Sequence, residues 1–248
     1  VTLGPRCRVR SHVLLEGQVT AGADNVFGAG AVVGSAPQDK RYEGGPAPVV
    51  LGDGNVLREH VTVHGGTAGA TLLGSHNLLM AGVHVAHDAR IGSHCVLANG
   101  VQIAGHAVVE DYVVFGGLAG VAQLVSIGEG AFVAAGAMVE RAVPPFVIVQ
   151  GDRARVRALN VVGLRRRGVA ESDVAALERV FRRLFRGTQP RAVAAAELLA
   201  ELRAAEASPW VERLLVALVR GAGGSLLPPA RRSSKARSKS SSAPTAAR

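Results

Sequence analysis

The sequence has few aromatic residues: only 4% of its 248 residues are Phe, Trp or Tyr, although 48% are hydrophobic. A core without aromatic bulk has to be filled by small and branched side chains. The high hydrophobic fraction excludes disorder for most of the chain. The length fits one large domain or two modest ones.

Cysteine is also scarce, since the chain has only Cys7 and Cys95. Two cysteines cannot form a disulfide framework, which favours a reducing compartment. No basic segment followed by an apolar one opens the sequence, so we expect a cytoplasmic protein without a leader. The uncharged run 91–109 contains Ser, His, Asn, Gln and Gly, so we expect no transmembrane segment.

Acidic residues are missing from residues 225–248, which carry six of the Lys and Arg side chains that give the chain its net charge of +9. A second basic cluster comprises Arg153, Arg155, Arg157, Arg165, Arg166 and Arg167. The positive charge is therefore concentrated in a tail and one patch, and the rest of the chain is near balance. This distribution does not predict nucleic-acid binding.

Apolar residues recur at every sixth position, which is the main regularity of the sequence. They are Leu3, Val9, Leu15, Ala21, Phe27 and Val33, then Leu51, Leu57 and Val63, and finally Leu73, Leu79, Val85, Ile91, Leu97, Ile103, Val109, Phe115, Val121, Ile127, Val133 and Val139. A period of six fits neither a helix nor simple strand alternation. It predicts a parallel β-helix of three short strands per eighteen-residue coil, with the interruptions 34–49 and 64–71 leaving the coil as loops.

The pattern ends at Pro144 and Pro145, and a helical period begins near Ser172, which we expect to cap the first helix. Two further helices are predicted at about 193–205 and 209–220. These segments divide the chain into a β-helix domain (1–145), a helical domain (146–221) and a basic disordered tail (222–248).

Histidines gather on one part of the predicted coil. One coil of eighteen residues separates Asp88 from His106 and His87 from Gly105, and a second coil separates Gly105 from Gln123. Three hypotheses follow: His87 is a general base, or His84, His87 and His106 bind zinc, or the histidines only decorate the surface. His84 and His87 lie three residues apart on a nearly straight strand, which weakens the zinc hypothesis.

Several segments resemble one enzyme family in sequence and in order. They are residues 77–107, which contain the VAHD and AGH motifs, residues 37–47, 64–68 and 143–152, and residues 160–169, which contain N-x-x-GLRRRG. Over about residues 1–185 the chain resembles bacterial UDP-N-acetylglucosamine O-acyltransferases, which open lipid A biosynthesis. The resemblance implies a left-handed parallel β-helix with a C-terminal helical domain, assembled as a homotrimer with sites at subunit boundaries.

The resemblance also implies a role for each matching residue. His87 would deprotonate the sugar 3-hydroxyl, Asp88 would orient the site, and Gly105 would donate its N–H to the oxyanion. The implied substrate contacts are Asp39, Arg41, Tyr42, His64, His84, His106, Gln123, Asn160, Arg166 and Arg167, and Ala135 would bound the acyl groove. The partners would be UDP-N-acetylglucosamine and the acidic acyl carrier protein, and no cofactor is implied.

Some positions depart from the family pattern. The chain begins as though the first two coils were missing, and Ala122, Val162 and Gly65 stand where histidine, an acid and arginine are usual. Alternatives therefore stay open: a divergent O- or N-acyltransferase acting on another nucleotide sugar or with an acyl-CoA donor, a zinc β-helix enzyme, or a non-catalytic paralogue that binds carrier protein.

Overall fold

Short parallel strands wind around three walls in the structure, a computed structural model that describes residues 1–202 and 208–220. The first wall consists of β1 (Thr2–Leu3), β4 (Val19–Ala21), β7 (Val49–Leu51), β10 (Thr71–Leu73), β13 (Arg90–Ile91), β16 (Val108–Val109) and β19 (Ser126–Ile127). The second consists of β2 (Arg8–Val9), β5 (Val26–Phe27), β8 (Val56–Leu57), β11 (Leu78–Leu79), β14 (Val96–Leu97), β17 (Val114–Phe115) and β20 (Phe132–Val133). The third consists of β3 (Leu14–Leu15), β6 (Val32–Ser35), β9 (Thr62–His64), β12 (His84–Val85), β15 (Gln102–Ile103), β18 (Gly120–Val121) and β21 (Met138–Val139).

The spacing of paired residues confirms the predicted coil. Leu72 pairs with Arg90, and Arg90 pairs with Val108, so each coil takes eighteen residues. From Ala21 onward every predicted inward residue is buried. The prediction is wrong for Val9, which is 48% exposed, because the first coil is covered by a neighbouring coil on one side only.

Both predicted insertions leave the coil at the same corner, as expected. We call this the loop corner: on successive coils it comprises residues 36–48, 65–70, 86–89, 104–107 and 122–125, between a strand of the third wall and the next strand of the first wall. The N–H of Gly65 donates to Ser35 O (2.9 Å), and that of Thr71 to Pro48 O (3.0 Å). The two loops therefore pack on each other, directly before the corner that carries His87.

A ladder of buried asparagines runs along another corner. Nδ2 of Asn55 donates to Oδ1 of Asn25, and Nδ2 of Asn77 donates to Oδ1 of Asn55, both at 3.0 Å. Nδ2 of Asn55 also donates to Gly74 O at 2.9 Å. All three asparagines are at most 1% exposed. The ladder thus satisfies corner carbonyls and N–H groups that no water can reach.

The segment after the coil contains elements that the sequence did not predict. Strands β22 (Val147–Gln150) and β23 (Arg155–Leu159) form an antiparallel hairpin that extends the second wall. Helix α1 (Val161–Arg166) follows, and then α2 (Glu171–Arg186), α3 (Arg191–Leu202) and α4 (Pro209–Arg220). Trp210 packs on Phe146 with ring centroids 5.5 Å apart, which fastens α4 to the end of the coil.

The predicted helix limits are partly right. Gly187 is the C-cap of α2, and Ser172 does not cap its start, because α2 begins at Glu171 after Ala170. Helix α3 begins two residues before the predicted start, and α4 has the predicted limits. Residues 203–205 of the predicted second helix and the predicted disordered tail lie outside the described residues. None of the described helices combines the length and apolarity needed to cross a membrane.

The asparagine ladder leads to a stability prediction. Replacing Asn55 with Leu keeps the branched outline of the side chain but leaves Gly74 O and the N–H of Asn77 without this partner. The free energy of unfolding should fall by about 3 kcal/mol, since each unpaired buried group costs about 1–3 kcal/mol. Denaturant unfolding measures it. The control Asn99→Leu, at an exposed asparagine, should change stability by less than about 0.5 kcal/mol; equal losses would contradict the prediction.

Candidate active site

His87 and Asp88 form a hydrogen-bonded pair at the loop corner. Nδ1 of His87 lies 2.9 Å from Oδ2 of Asp88. Asp88 takes a positive φ of 58°, as do many corner residues of this coil, and this turns its side chain back toward the neighbouring ring. An ionised carboxylate can only accept, so Nδ1 of His87 carries a proton, and in the neutral imidazole the lone pair is therefore on Nε2.

The second insertion surrounds the carboxylate of Asp88 with donors. Oδ2 accepts from the N–H (2.9 Å) and the hydroxyl (2.7 Å) of Thr67, and Oδ1 accepts from the N–H groups of Ala68 (3.0 Å) and Gly69 (3.1 Å). Burial by itself would raise the pKa of Asp88, but the hydrogen bonds from Thr67, His87 and Ala68 outweigh it and hold that pKa well below its usual range. Asp88 is therefore a fixed negative charge behind His87.

The absence of a side chain at Gly105 leaves room for the imidazole of His87. A Cβ at position 105 would lie 2.6 Å from Cε1 and 2.7 Å from Nε2 of His87, too close for any side chain. The His106 ring stands edge-on to His87, with centroids 5.2 Å apart, and Nε2 of His106 is 3.7 Å from Oδ2 of Asp88. The predicted stacking of Asp88 on His106 is thus present, with glycine backbone beside the reactive nitrogen.

Two further histidines lie against this pair and are held neutral. His64 and His84 meet edge-on at 5.1 Å, and Nδ1 of His84 is 2.7 Å from the hydroxyl of Thr62. Burial lowers the pKa of both imidazoles below their usual value, and neighbouring histidines lower it further. Among the described residues, the buried Nδ1 of His64 is one of the few side-chain nitrogens without a hydrogen-bond partner.

The first insertion brings an acid to the opposite side of His87. Oδ2 of Asp39 lies 3.9 Å from Nε2 of His87. Asp39 accepts from the guanidinium (2.7 and 3.1 Å) and the N–H (2.9 Å) of Arg41, and these bonds hold the pKa of its carboxyl well below the usual range. Tyr42 instead donates its hydroxyl to Gly45 O within the loop at 2.6 Å. The chain thus brings Asp39 to His87 and leaves Tyr42 further out.

An open groove runs along the third wall from these residues. It has a volume of about 630 Å³, with His84, His87 and Gly105 near one end and Met138, Glu140 and Asp152 near the other. Gln123 is exposed at the loop corner one coil beyond Gly105. Ala135 is not in the groove lining of the single chain and is exposed at a neighbouring corner. Met138 and Asp152 were not predicted from the sequence, because no motif marks them.

Asn160, Arg166 and Arg167 lie at a separate cavity of about 370 Å³ along the second wall. Asn160 caps α1, since its Oδ1 accepts from Gly163 N and its Nδ2 donates to Gly130 O, both at 3.0 Å. Arg167 pairs with Glu129 and lies over the rings of Tyr112 (4.1 Å) and Trp210 (4.9 Å). Arg166 is exposed. This cavity and the groove share no lining residue. A single chain therefore does not bring Asn160, Arg166 and Arg167 together with the residues around His87.

The histidines that the zinc hypothesis selected do not converge. Within the described residues, the cluster with metal-ligand spacing consists of His87, Asp88 and His106, whose ligand atoms lie within 4.8 Å of one another. His84 is directed to Thr62 instead. Asp88 already accepts five hydrogen bonds, so the arrangement is better suited to orienting an imidazole than to holding a cation.

A coil of hexapeptides with a histidine–carboxylate pair beside an open groove defines the class of hexapeptide-repeat transferases. Residues 70–105 match the family model described as bacterial transferase hexapeptide (six repeats), and residues 143–222 match that of UDP N-acetylglucosamine O-acyltransferase, domain 2. The relative from Nautilia profundicola, named acyl-[acyl-carrier-protein]–UDP-N-acetylglucosamine O-acyltransferase, is 40% identical over 73% of this chain and 71% of its own length. The relative of the same name from Synechocystis is 41% identical over 81% and 72%.

Solved structures of similarly named proteins are also similar to this chain in fold. The UDP-N-acetylglucosamine acyltransferase of Arabidopsis has a TM-score of 0.85 and 32% identity, over 92% of this chain and 83% of that one. The protein from Acinetobacter baumannii has a TM-score of 0.85 and 29% identity, over 92% and 89%. They confirm the predicted left-handed β-helix with C-terminal helices. The chain belongs to the acyl-[acyl-carrier-protein]–UDP-N-acetylglucosamine O-acyltransferase family and is an acyltransferase.

The lowered pKa values of His64 and His84 predict how stability depends on pH. Because the unfolded chain binds more protons than the folded one below the ordinary histidine pKa of about 6.5, stability should fall as the pH drops from about 7 to 5. His84→Gln should make this fall smaller, and Gln102→Ala, on the same wall, should not. Unfolding free energies at several pH values measure it; an unchanged slope in His84→Gln would contradict the assignment.

Proposed function

We propose that this chain transfers an (R)-3-hydroxyacyl group from acyl carrier protein to the 3-hydroxyl of UDP-N-acetylglucosamine, the first step of lipid A biosynthesis. The observation that carries the proposal is the His87–Asp88 pair, with the free Nε2 beside the backbone of Gly105 at the end of a long groove. The names of the relatives, which are 40% and 41% identical to this chain, supply the substrates.

The proposed reaction uses His87 as the general base. Nε2 takes the proton of the sugar 3-hydroxyl as its oxygen bonds to the thioester carbon. The carbonyl oxygen becomes an oxyanion, which accepts from the N–H of Gly105. When the carbonyl re-forms, the C–S bond breaks, and the leaving thiolate takes the proton back from His87. Asp88 keeps the imidazole oriented and stabilises its charged form between the two transfers.

The sugar would lie among the histidines around this pair. His64, His84 and His106 offer ring nitrogens within one coil of His87, and the pKa values of His64 and His84 keep those two rings neutral. Neutral imidazoles can donate to and accept from sugar hydroxyls without drawing the proton away from His87. Asp39, Arg41 and Tyr42 would close over the sugar from the first insertion.

The acyl chain would follow the groove along the third wall. The groove has the apolar residues Ala86, Ala104, Ala122 and Met138 in its lining, none of them buried inside the coil, and continues past the reactive end for several coils. Gln123 would contact the substrate near the start of this path. Ala135 would bound the acyl chain from the neighbouring corner, in a groove completed by a second copy of the chain.

The UDP portion and the carrier protein would use the other cavity. Asn160 and Arg166 line it, and Arg167 contributes a buried Nη1 without a partner within the described residues. Exposed arginine near an acidic carrier protein would also speed its approach. We keep the division into a β-helix domain (1–145) and a helical domain (146–221) as part of this proposal, and place the reaction in the cytoplasm.

A homotrimer would join the two separate groups of residues into one site. In the single chain the two groups lie on different walls. Neither group by itself could therefore contact both the reacting sugar and the UDP portion of the substrate. Leu118 (71% exposed) and Leu124 (73% exposed) project from the corners on either side of β18 in the third wall. Apolar side chains with such exposure beside a groove favour contact with another copy.

Replacing His87 tests the chemistry. With UDP-N-acetylglucosamine and a panel of (R)-3-hydroxyacyl carrier proteins, His87→Ala should lower kcat/KM by about 10²–10⁴-fold, the usual contribution of a general base. His12→Ala, at an exposed corner of the first coil and far from His87 in the sequence, should keep wild-type activity. Product formation followed by mass spectrometry gives the rates.

Two outcomes would contradict the proposal: no product from the wild type with any donor, or full activity of His87→Ala. The same assay with a 3-amino sugar or with acyl-CoA distinguishes the alternative acyltransferases, and carrier-protein binding without turnover identifies a non-catalytic paralogue.

Mixing two inactive variants tests the shared site. Sedimentation should give three times the chain mass of 25.5 kDa. His87→Ala and Arg166→Glu should each be nearly inactive alone. If a site takes His87 from one copy and Arg166 from the next, co-refolded mixtures should recover roughly a quarter of wild-type activity, since that fraction of boundaries is intact in a random trimer. No recovery would show that both residues act within one copy.

A further inference from the structure

The turn formed by residues 66–69, which we call the Thr67 turn, holds the carboxylate of Asp88 from three sides. Oδ2 of Asp88 accepts from the hydroxyl of Thr67 at 2.7 Å, from its N–H at 2.9 Å and from Nδ1 of His87 at 2.9 Å. The N–H groups of Ala68 and Gly69 occupy Oδ1. The same oxygen that orients His87 is therefore shared with Thr67.

The backbone around this carboxylate leaves little room for movement. A Cβ at Gly66 would lie 2.2 Å from Gly69 O and 2.9 Å from Oδ1 of Asp88, so the turn closes this tightly only with glycine. On the other side, the N–H of Asp88 donates to the hydroxyl of Thr71 at 2.8 Å. Asp88 is fixed by both its backbone and its carboxylate, and the carboxylate fixes His87.

We propose that Thr67 is a positioning residue that acts on the base through Asp88. Its hydroxyl and its N–H donate to Oδ2 alongside Nδ1 of His87, which holds this oxygen in place so that the proton stays on Nδ1 and Nε2 is left free to act. It also withdraws negative charge from Oδ2 and so limits how tightly the carboxylate binds the imidazolium that forms during catalysis. The inference rests on the proposed role of His87 as the base.

Replacing Thr67 with Val tests this role while keeping the shape of the side chain and all three backbone donors to Asp88. The variant should lose about tenfold in kcat, part of the contribution of a general base, with little change in KM. The acid limb of its pH–rate profile should move to higher pH, because a less satisfied carboxylate holds the imidazolium more tightly. Thr67→Ser, which restores the hydroxyl, should restore both properties, and the exposed Thr20→Val should change neither.

A double-mutant cycle tests whether the effect passes through the carboxylate. Once Asp88 is replaced by Ala, Thr67→Val should have no further effect on kcat, since the two residues act as one unit. An equal loss in the wild-type and Asp88→Ala backgrounds would overturn the proposal, as would a loss of kcat with an unmoved pH profile.

A measurement without substrate separates this inference from the proposed function. Nitrogen-15 chemical shifts of His87, followed over a range of pH, should report protonated Nδ1 in all three proteins, and the midpoint of imidazolium formation should move to higher pH in Thr67→Val but not in Thr67→Ser. If the wild type acylates no sugar but these shifts behave as stated, the proposed function fails and the positioning role stands. If the wild type is active and the midpoint of imidazolium formation does not move in Thr67→Val, the positioning role fails.

Discussion

The eighteen-residue coil is the constraint on which the rest of the molecule depends. Its register places each residue directly over the one eighteen positions later, at the spacing of neighbouring strands, about 4.8 Å. At that spacing a side chain at one corner touches the corner of the next coil. The ring of His87 therefore lies against Gly105, and Asp88 approaches His106. The stacking of successive coils thus brings His87 and Asp88 against Gly105 and His106, although all four residues lie at corners and none belongs to a paired strand.

Insertions complete the site because they leave the coil where the stacking already converges. Each insertion ends on a first-wall strand that pairs normally, so the walls continue undisturbed beneath the loops. The first loop carries Asp39 to one side of His87, and the second carries the donors of Asp88 to the other. The coil sets the position of the imidazole, and the loops set its charge environment. This division allows loop residues to change the chemistry without altering the core.

The sequence predicted what the period determines and little of what the loops determine. Leu97 and Phe115 are buried as expected because inward residues repeat every six positions. The stacking of Asp88 and His106 followed from the same arithmetic. Thr67 was not singled out, because its contact with Asp88 spans 21 residues across an aperiodic turn. The N-cap of α2 was misplaced by two residues, because Ser172 offered a cap that the chain does not use.

The ion pairs of the C-terminal arginines show why the net charge of +9 does not by itself indicate what the protein binds. Glu129, at the end of the coil, pairs with Arg167 and with Arg213 of α4 (2.9 Å), while Arg165 pairs with Glu171 (2.7 Å) and Arg183 with Glu201 (3.1 Å). The Glu129 pair is half enclosed by the rings of Tyr112 and Trp210, which makes it less screened than an exposed pair. These arginines fasten the helices to the coil and to one another. Arg166 on α1 makes none of these pairs and is exposed at the second cavity, so its positive charge can meet a substrate or an acidic partner there.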